Sequence, residues 1–136
     1  MNHVAQEQLL LSEYANAAEG TESKAMAYVV RLLLEDETRH HRLFMELAES
    51  LREVTDRNAE PLVPWVDFGR ADREKLTPLI QRLLAHEEQD KHELDELQRE
   101  LHDVRDTTLW SVLVDTMRRD TEKHIALLRF AQRHTR

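Results

Sequence analysis

Carboxylates and histidines recur in this chain at spacings that suit a metal ion. Glu37 and His40 stand three residues apart, which puts both on one face of a helix, one turn from each other. Asp120 and His124 stand four residues apart, and Glu87 interrupts the apolar series of another segment. Carboxylate oxygens and imidazole nitrogens bind iron, manganese and zinc in proteins. The residue types therefore predict a metal site built without sulfur.

The same residues fall within the apolar stripes of the predicted helices. At about 100° per residue, His40 lies near the centre of its stripe, Asp120 and His124 lie inside theirs, and Glu87 fills a gap in its own. If the apolar stripe of the first helix is extended one or two turns towards the N-terminus, Glu7 lies on it. An unpaired carboxylate in an apolar interior costs several kcal/mol. Its recurrence in four helices favours a functional site.

Counting from the predicted turns places these groups at similar heights. From the second turn, near residue 105, Glu87 lies 18 residues back and His124 lies 19 residues forward. From the first turn, near residue 20, Glu7 lies 13 residues back and Glu37 lies 17 forward. At about 1.5 Å per residue, the groups of each hairpin agree in height to within about two turns. Four inward carboxylates with two inward histidines are the ligand set of a dinuclear, carboxylate-bridged site.

Apolar periodicity and capping signals predict four helices. They run from about Asn2 to Glu19, from Thr21 or Ser23 to about Glu53, from Thr77 to about Val104, and from Asp106 or Thr107 to about His134. Gly20 is the predicted left-handed C-cap of the first helix, and Pro78 is the predicted first helical residue of the third.

The stretch of about 55–73 lacks periodicity and holds Pro61, Pro64 and Gly69. It is predicted to be a long crossover whose apolar residues pack along the helices; these are Leu62, Val63, Trp65 and Phe68. Two antiparallel hairpins joined by a long crossover between helices 2 and 3 form an all-α, ferritin-like four-helix bundle. The length suits a single domain over residues 1–136.

Charge and composition exclude several classes of function. With 19 basic and 27 acidic residues the formal charge is −8, which argues against nucleic acid and anionic membrane surfaces as partners. The absence of cysteine excludes thiolate, disulfide and iron–sulfur chemistry and favours the cytoplasm. The sequence predicts neither a signal peptide nor a membrane span.

The chain resembles the ferritin-like superfamily, and in particular a small rubrerythrin-like domain that lacks the rubredoxin part. The likeness lies in Glu37 and His40, in Glu87 or Glu88 on the third helix, and in Asp120 with His124. The resemblance implies a dinuclear non-haem iron centre, with manganese or zinc as other metals. The ligands that it implies are Glu37, His40, Glu87, Asp120 and His124, with Glu7 as a sixth. It also implies oxidation of Fe²⁺ or reduction of peroxide or O₂, and a homodimer.

The sequence departs from the family pattern in the fourth helix. The family has a glutamate three residues before the histidine, where this chain has Thr121. Asp120 is on the face of His124, but its side chain is one methylene shorter than that of glutamate. These differences leave a mononuclear, asymmetric or inactive site open. Glu13, off-centre in its stripe, is the alternative to Glu7.

A metal-free interpretation uses the same residues. His40 and His124 would then bond to Asp36 and Asp120 one turn earlier. Glu87 and Asp90 would pair with Lys91, Arg39 or Arg119, so that arginine or histidine and not a metal ion neutralises the inward acids. The chain would be an interaction or dimerisation module, with the crossover around Trp65 and Phe68 as its contact surface.

Overall fold

A computed structural model describes residues 3–53, 61–66, 73–102 and 108–135, apart from the side chains of residues 3–5, 7, 18 and 73. Within these residues the chain forms helices and no β-strand. The helices are α1 (His3–Gly20), α2 (Lys24–Glu53), α3 (Arg73–Glu100) and α4 (Trp110–His134). The predicted all-α class and the predicted four helices are confirmed.

The helices associate in two pairs. The chain divides into two compact units, Met1–Trp65 and Val66–Arg136. In the first unit α1 contacts α2, and in the second α3 contacts α4. Because only three residues join α1 to α2, these helices run antiparallel as a hairpin. The single domain over residues 1–136 stays a prediction.

Side-chain caps form the turn between α1 and α2. The hydroxyl of Ser23 accepts a hydrogen bond of 3.2 Å from the backbone N–H of Met26, so Ser23 is the N-cap of α2. The hydroxyl of Thr21 accepts one from the N–H of Ser23. The prediction of a left-handed C-cap at Gly20 is wrong, because Gly20 ends α1 and no described residue has a positive φ. The turn that Thr21 and Ser23 cap reverses the chain direction without a left-handed residue.

The start of α3 differs from the prediction. The helix begins at Arg73, so Pro78 lies inside it and not at its first position. Proline lacks the N–H that would bond to the carbonyl four residues earlier, and its ring crowds that carbonyl, yet α3 continues through Pro78. The predicted end at Val104 and the predicted start at Asp106 or Thr107 lie outside the described residues.

Each hairpin has a small core. In the second, Ile80 and Leu84 of α3 pack against Ile125 of α4. In the first, Val30 of α2 is buried. Because two helices cover only one side of each other, the buried part of each stripe is narrower than the sequence predicts. Large apolar side chains of the predicted stripes remain exposed: Met26, Leu33, Leu43, Phe44, Leu47, Leu51, Leu79, Leu83, Leu97, Met117 and Leu127.

Residues 61–66 fold back on the end of α2. The N–H of Val63 donates a 2.8 Å hydrogen bond to the hydroxyl of the buried Ser50, and Pro61 is buried beside it. The side chains of Leu62, Val63 and Trp65 are exposed, so their predicted packing along the helices is wrong. The backbone contact at Val63 holds this segment while its side chains face outwards. Phe68 and the rest of the predicted crossover lie outside the described residues.

In the described parts of the chain, no helix has a stretch long and apolar enough to cross a lipid bilayer.

Candidate metal centre

The first hairpin presents a carboxylate and an imidazole side by side on α2. Nδ1 of His40 lies 3.8 Å from Oε1 of Glu37. The carboxylate is mostly covered, with 20 % of its side chain exposed, whereas His40 is 46 % exposed. Leu43, Phe44 and Leu47 continue from His40 as an apolar groove of about 290 Å³. The side chains of Glu37 and His40 therefore lie close together, as predicted. They lie next to an exposed apolar face of α2.

The second hairpin presents the same two groups, but from different helices. Nδ1 of His124 on α4 lies 3.3 Å from Oε2 of Glu87 on α3, within hydrogen-bond distance. Glu87 is 20 % exposed and His124 is 47 % exposed, as in the first pair. The residues are 37 positions apart in the chain. The contact confirms that these two side chains lie at the same height along α3 and α4, as their similar counts from the predicted turn indicate.

Glu87 and His124 lie in a groove of about 480 Å³ between α3 and α4, which we call the acidic groove. It is lined by Glu87, Asp90, Glu93, Leu94, Leu97, Met117, Asp120, Thr121 and His124. Four carboxylates and one imidazole thus face one concavity with apolar walls. No lysine or arginine is among the lining residues that the structure describes.

The alternatives for the third-helix ligand can be compared directly. Glu87 contacts His124, whereas Glu88 points to the other side of α3 and lies 3.6 Å from Arg129. Glu88 is therefore not the partner of His124. In α1, Glu13 is exposed, and the side chain of Glu7 lies outside the described residues.

In α4, Asp120 and Thr121 are the two polar side chains that precede His124 by three or four residues. Asp120 lines the acidic groove with His124, and its Oδ1 lies 3.3 Å from Nζ of Lys123. Thr121 is buried, and its hydroxyl donates to the carbonyl oxygen of Met117 over 3.1 Å. The hydroxyl of Thr121 is therefore bonded within its own helix. Asp120 is the carboxylate of α4 that remains available.

Of the contacts expected of the metal-free interpretation, a histidine beside an inward acid does form, at Glu37 and at Glu87, and the others do not. Asp36 pairs with Arg39 at 3.4 Å, and Asp120 pairs with Lys123, so neither aspartate holds the histidine one turn later. Arg119 pairs with Asp115 on its own helix. In the part of the chain that the structure describes, no lysine or arginine lies within ion-pair distance of Glu37 or Glu87.

The nitrogen–oxygen distance differs between the two pairs, and the shorter one suits a shared metal ion better. Atoms 3.3 Å apart, as in Glu87 and His124, can both lie about 2.1 Å from one ion with an angle of roughly 105° between the bonds. At 3.8 Å the pair of Glu37 and His40 needs an angle of about 130°, which a small side-chain rotation would reduce. Nδ1 of His124 must release its proton to bind a metal. The residues fit as pairs, and no group of three possible ligands occurs among the described residues.

An ion-pair network that joins α3 to α4 was not expected from the sequence. Arg118 lies 3.0 Å from Asp115, 3.4 Å from Glu122 and 3.8 Å from Asp95 of α3. Asp115, Arg118 and Glu122 do follow one another at spacings of three and four residues, which is the signal that would have indicated the network.

Asp115 is the electrostatic centre of this network. Hydrogen bonds donated by Arg119 and then by Arg118 hold the pKa of the Asp115 carboxyl below its ordinary value of 3.8. The pKa of Arg118 is correspondingly raised by its hydrogen bond to Asp115. The network positions α4 against α3 next to the acidic groove.

The network predicts an acid-dependent stability. Because the pKa of Asp115 is lower in the folded chain, its contribution is fully present above pH 3.8 and is lost as the pH falls through the folded pKa. We expect Asp115→Asn to lower the free energy of unfolding by up to about 1 kcal/mol at neutral pH. Urea unfolding measured between neutral and acid pH should show this difference disappear at the acid end. Glu96→Gln, an exposed carboxylate paired with His92, is the control, and an equal loss there would contradict the prediction.

Comparison of the chain with protein family models, with curated proteins and with solved structures finds no match. What the chain does must therefore be inferred from its own residues.

Proposed function

We propose that this chain is a non-haem metal-binding protein of ferritin or rubrerythrin type. The observation that carries the proposal is the contact of His124 with Glu87 across α3 and α4, in a groove lined by further carboxylates. The pair of Glu37 and His40 on α2 repeats the same chemistry in the other hairpin. Both pairs are assigned to metal binding, with Asp120 and Glu7 as additional ligands and water completing each shell.

The fold that we propose for this function is the ferritin-like four-helix bundle. The pairing of α1 with α2 and of α3 with α4 supports it, as do the apolar side chains that each hairpin leaves exposed. A homodimer is part of the same proposal, because unpartnered apolar faces favour association.

Iron is the metal that we propose, as a dinuclear centre. Carboxylate ligands stabilise ferric iron, imidazoles complete the shell, and an open position admits O₂ or peroxide. The corresponding reaction oxidises ferrous iron: each hydrogen peroxide takes one electron from each of two ferrous ions and two protons, and gives two waters. Manganese and zinc use the same ligand types and are the alternatives that metal analysis distinguishes.

The first experiment is elemental analysis of untagged protein, purified without chelators from iron-supplemented cells. We expect about two iron atoms per chain, the stoichiometry of a dinuclear centre. Anaerobic addition of Fe²⁺ to metal-free protein, followed by O₂ or peroxide, should then yield ferric protein. A folded wild-type chain that contains no metal and takes up none from anaerobic Fe²⁺ would overturn the proposal.

The second candidate is a metal-free interaction module, which the exposed apolar residues favour. Leu43, Leu47 and Leu51 form part of one such face on α2. Under this hypothesis the chain self-associates whether or not metal is present. Light scattering of metal-free protein over a range of concentrations measures this directly, and a monomer at all concentrations would contradict it.

A further inference from the structure

Residues 61–65 present apolar side chains to solvent from a backbone that is fixed to α2. The N–H of Val63 donates a hydrogen bond to the hydroxyl of Ser50, and that hydroxyl donates to the carbonyl oxygen of Glu46. Ser50 is 6 % exposed, and Pro61 is buried at the start of the segment. The backbone of this segment is therefore held in place while its apolar side chains stay available to another surface.

Four exposed apolar side chains lie at this end of α2, and we call them the α2-end patch: Leu51, Leu62, Val63 and Trp65. Leu51 directly follows Ser50, which bonds to Val63, so the helix and the segment contribute adjacent parts of the patch. All four belong to the first compact unit, Met1–Trp65. Between 43 % and 65 % of each residue is exposed. A group of exposed apolar side chains, unlike a single one, marks an interaction site.

The area of the α2-end patch reaches the lower limit for a symmetric contact between two copies. At an average of roughly 120 Å² of exposed surface per side chain, the patch offers about 500 Å². A second copy that sets the same patch against it would bury about 1,000 Å² in total, the size at which specific interfaces begin. Trp65 is the largest member of the patch, and tryptophan is among the residues that most often dominate the binding energy of an interface.

Charge favours a second copy as the partner. The formal charge of the chain is −8, so much of its surface repels another copy. In a twofold contact a patch meets itself, and a charged residue within it would face its own charge. The patch and the two prolines of its segment, Pro61 and Pro64, carry no charge, and the neighbouring Arg52 is paired with Glu49. Association through this patch therefore avoids the repulsion.

We propose that two copies of this chain associate through the α2-end patch, with Trp65 as the anchor. The inference rests on the homodimer of the proposed function and identifies its surface. Because the hydrogen bond to Ser50 fixes the backbone at Val63 before the copies meet, less conformational entropy is lost when they associate. An interface near the lower size limit forms a reversible dimer and not a permanent one.

Sedimentation velocity of the metal-free full chain over a range of concentrations tests the proposal. We expect a reversible monomer–dimer equilibrium for wild type, and a dissociation constant at least ten-fold higher for Trp65→Ala. Trp110→Ala is the matched control, because Trp110 is 59 % exposed on α4 and Trp65 is 64 % exposed. Its dissociation constant should stay within about two-fold of that of wild type. Far-UV circular dichroism verifies that all chains are equally helical.

Fluorescence gives a second readout at the anchor itself. The chain has two tryptophans, so Trp65 is the only one left in Trp110→Phe. Its emission should move to shorter wavelength as the dimer forms, because the indole leaves water. A dimer that forms without this shift would contradict contact at Trp65. A wild-type chain that stays monomeric at roughly 1 mM, or a dimer that is equally tight in Trp65→Ala, would overturn the proposal.

Iron content separates this inference from the proposed metal binding. Trp65→Ala should bind as much iron as wild type, because Trp65 is not among the assigned ligands. If no chain binds iron and Trp65→Ala still weakens the dimer, the metal-binding function fails and the assigned surface stands. If wild type binds iron and Trp65→Ala dimerises as wild type does, only this inference fails.

Discussion

Replacing His124 with alanine is expected to remove at least half of the iron that the chain binds. The variant deletes the α4 member of the pair with Glu87 and leaves a lone carboxylate in its place. His40→Ala should have the same effect in the other hairpin, and the double variant should bind no iron. Elemental analysis after anaerobic loading with Fe²⁺ gives the number directly. If either single variant already loses all iron, the two pairs act as one centre.

The matched control is His86→Ala, which removes an exposed imidazole one residue before Glu87. Its iron content should equal that of wild type. Stability gives an independent readout, because an ion that binds only the folded chain stabilises it by about 2.7 kcal/mol at a free concentration of one hundred times Kd. Wild type and His86→Ala should show this increase, and the double variant should not. Full iron content in the double variant would contradict the assignment of both pairs.

Local features of the fold were predictable because they depend on neighbouring residues. Ser23 caps α2 through a hydrogen bond to the N–H three residues later, which the sequence offers as one of two capping choices. Glu37 and His40 meet because helical geometry alone places them one turn apart. His124 and Glu87 needed one further step, because their counts of residues from the predicted turn, 19 and 18, are nearly the same. Each of these predictions follows from helix geometry and from counting residues along the chain.

Other features depend on competition between partners, which spacing does not decide. Asp120 has Lys123 three residues later and His124 four residues later, both one helical turn away, and it pairs with the charged ammonium of Lys123. Arg118 has Asp115 and Glu122 within one turn of its own helix, yet it also lies beside Asp95 of α3, which its spacing along the chain does not indicate. The burial of the apolar stripes was overestimated for a similar reason. An apolar stripe in the sequence shows which residues share a face of a helix. It does not show how much of that face a neighbouring helix covers.

Ile125→Ala is expected to lower the free energy of unfolding by about 2–4 kcal/mol, through lost apolar contacts and the cavity that remains. Ile125 is 8 % exposed and joins Ile80 and Leu84 in the core of the second hairpin. Truncation at this position empties a place that no neighbouring side chain can refill without moving a helix. Urea unfolding followed by far-UV circular dichroism measures the change. A loss below about 1 kcal/mol would contradict the packing of this hairpin.

Leu127→Ala on the same helix is the control, and it also distinguishes between the two functions. Leu127 is 62 % exposed, so its truncation should cost less than about 0.5 kcal/mol in an isolated chain. A cost that matches that of Ile125→Ala would mean that another surface covers Leu127 in solution. If that cost grows with protein concentration, the surface belongs to a second copy, and association would account for the exposed apolar faces. If the cost is small while His124→Ala removes iron, metal binding is supported without association through Leu127.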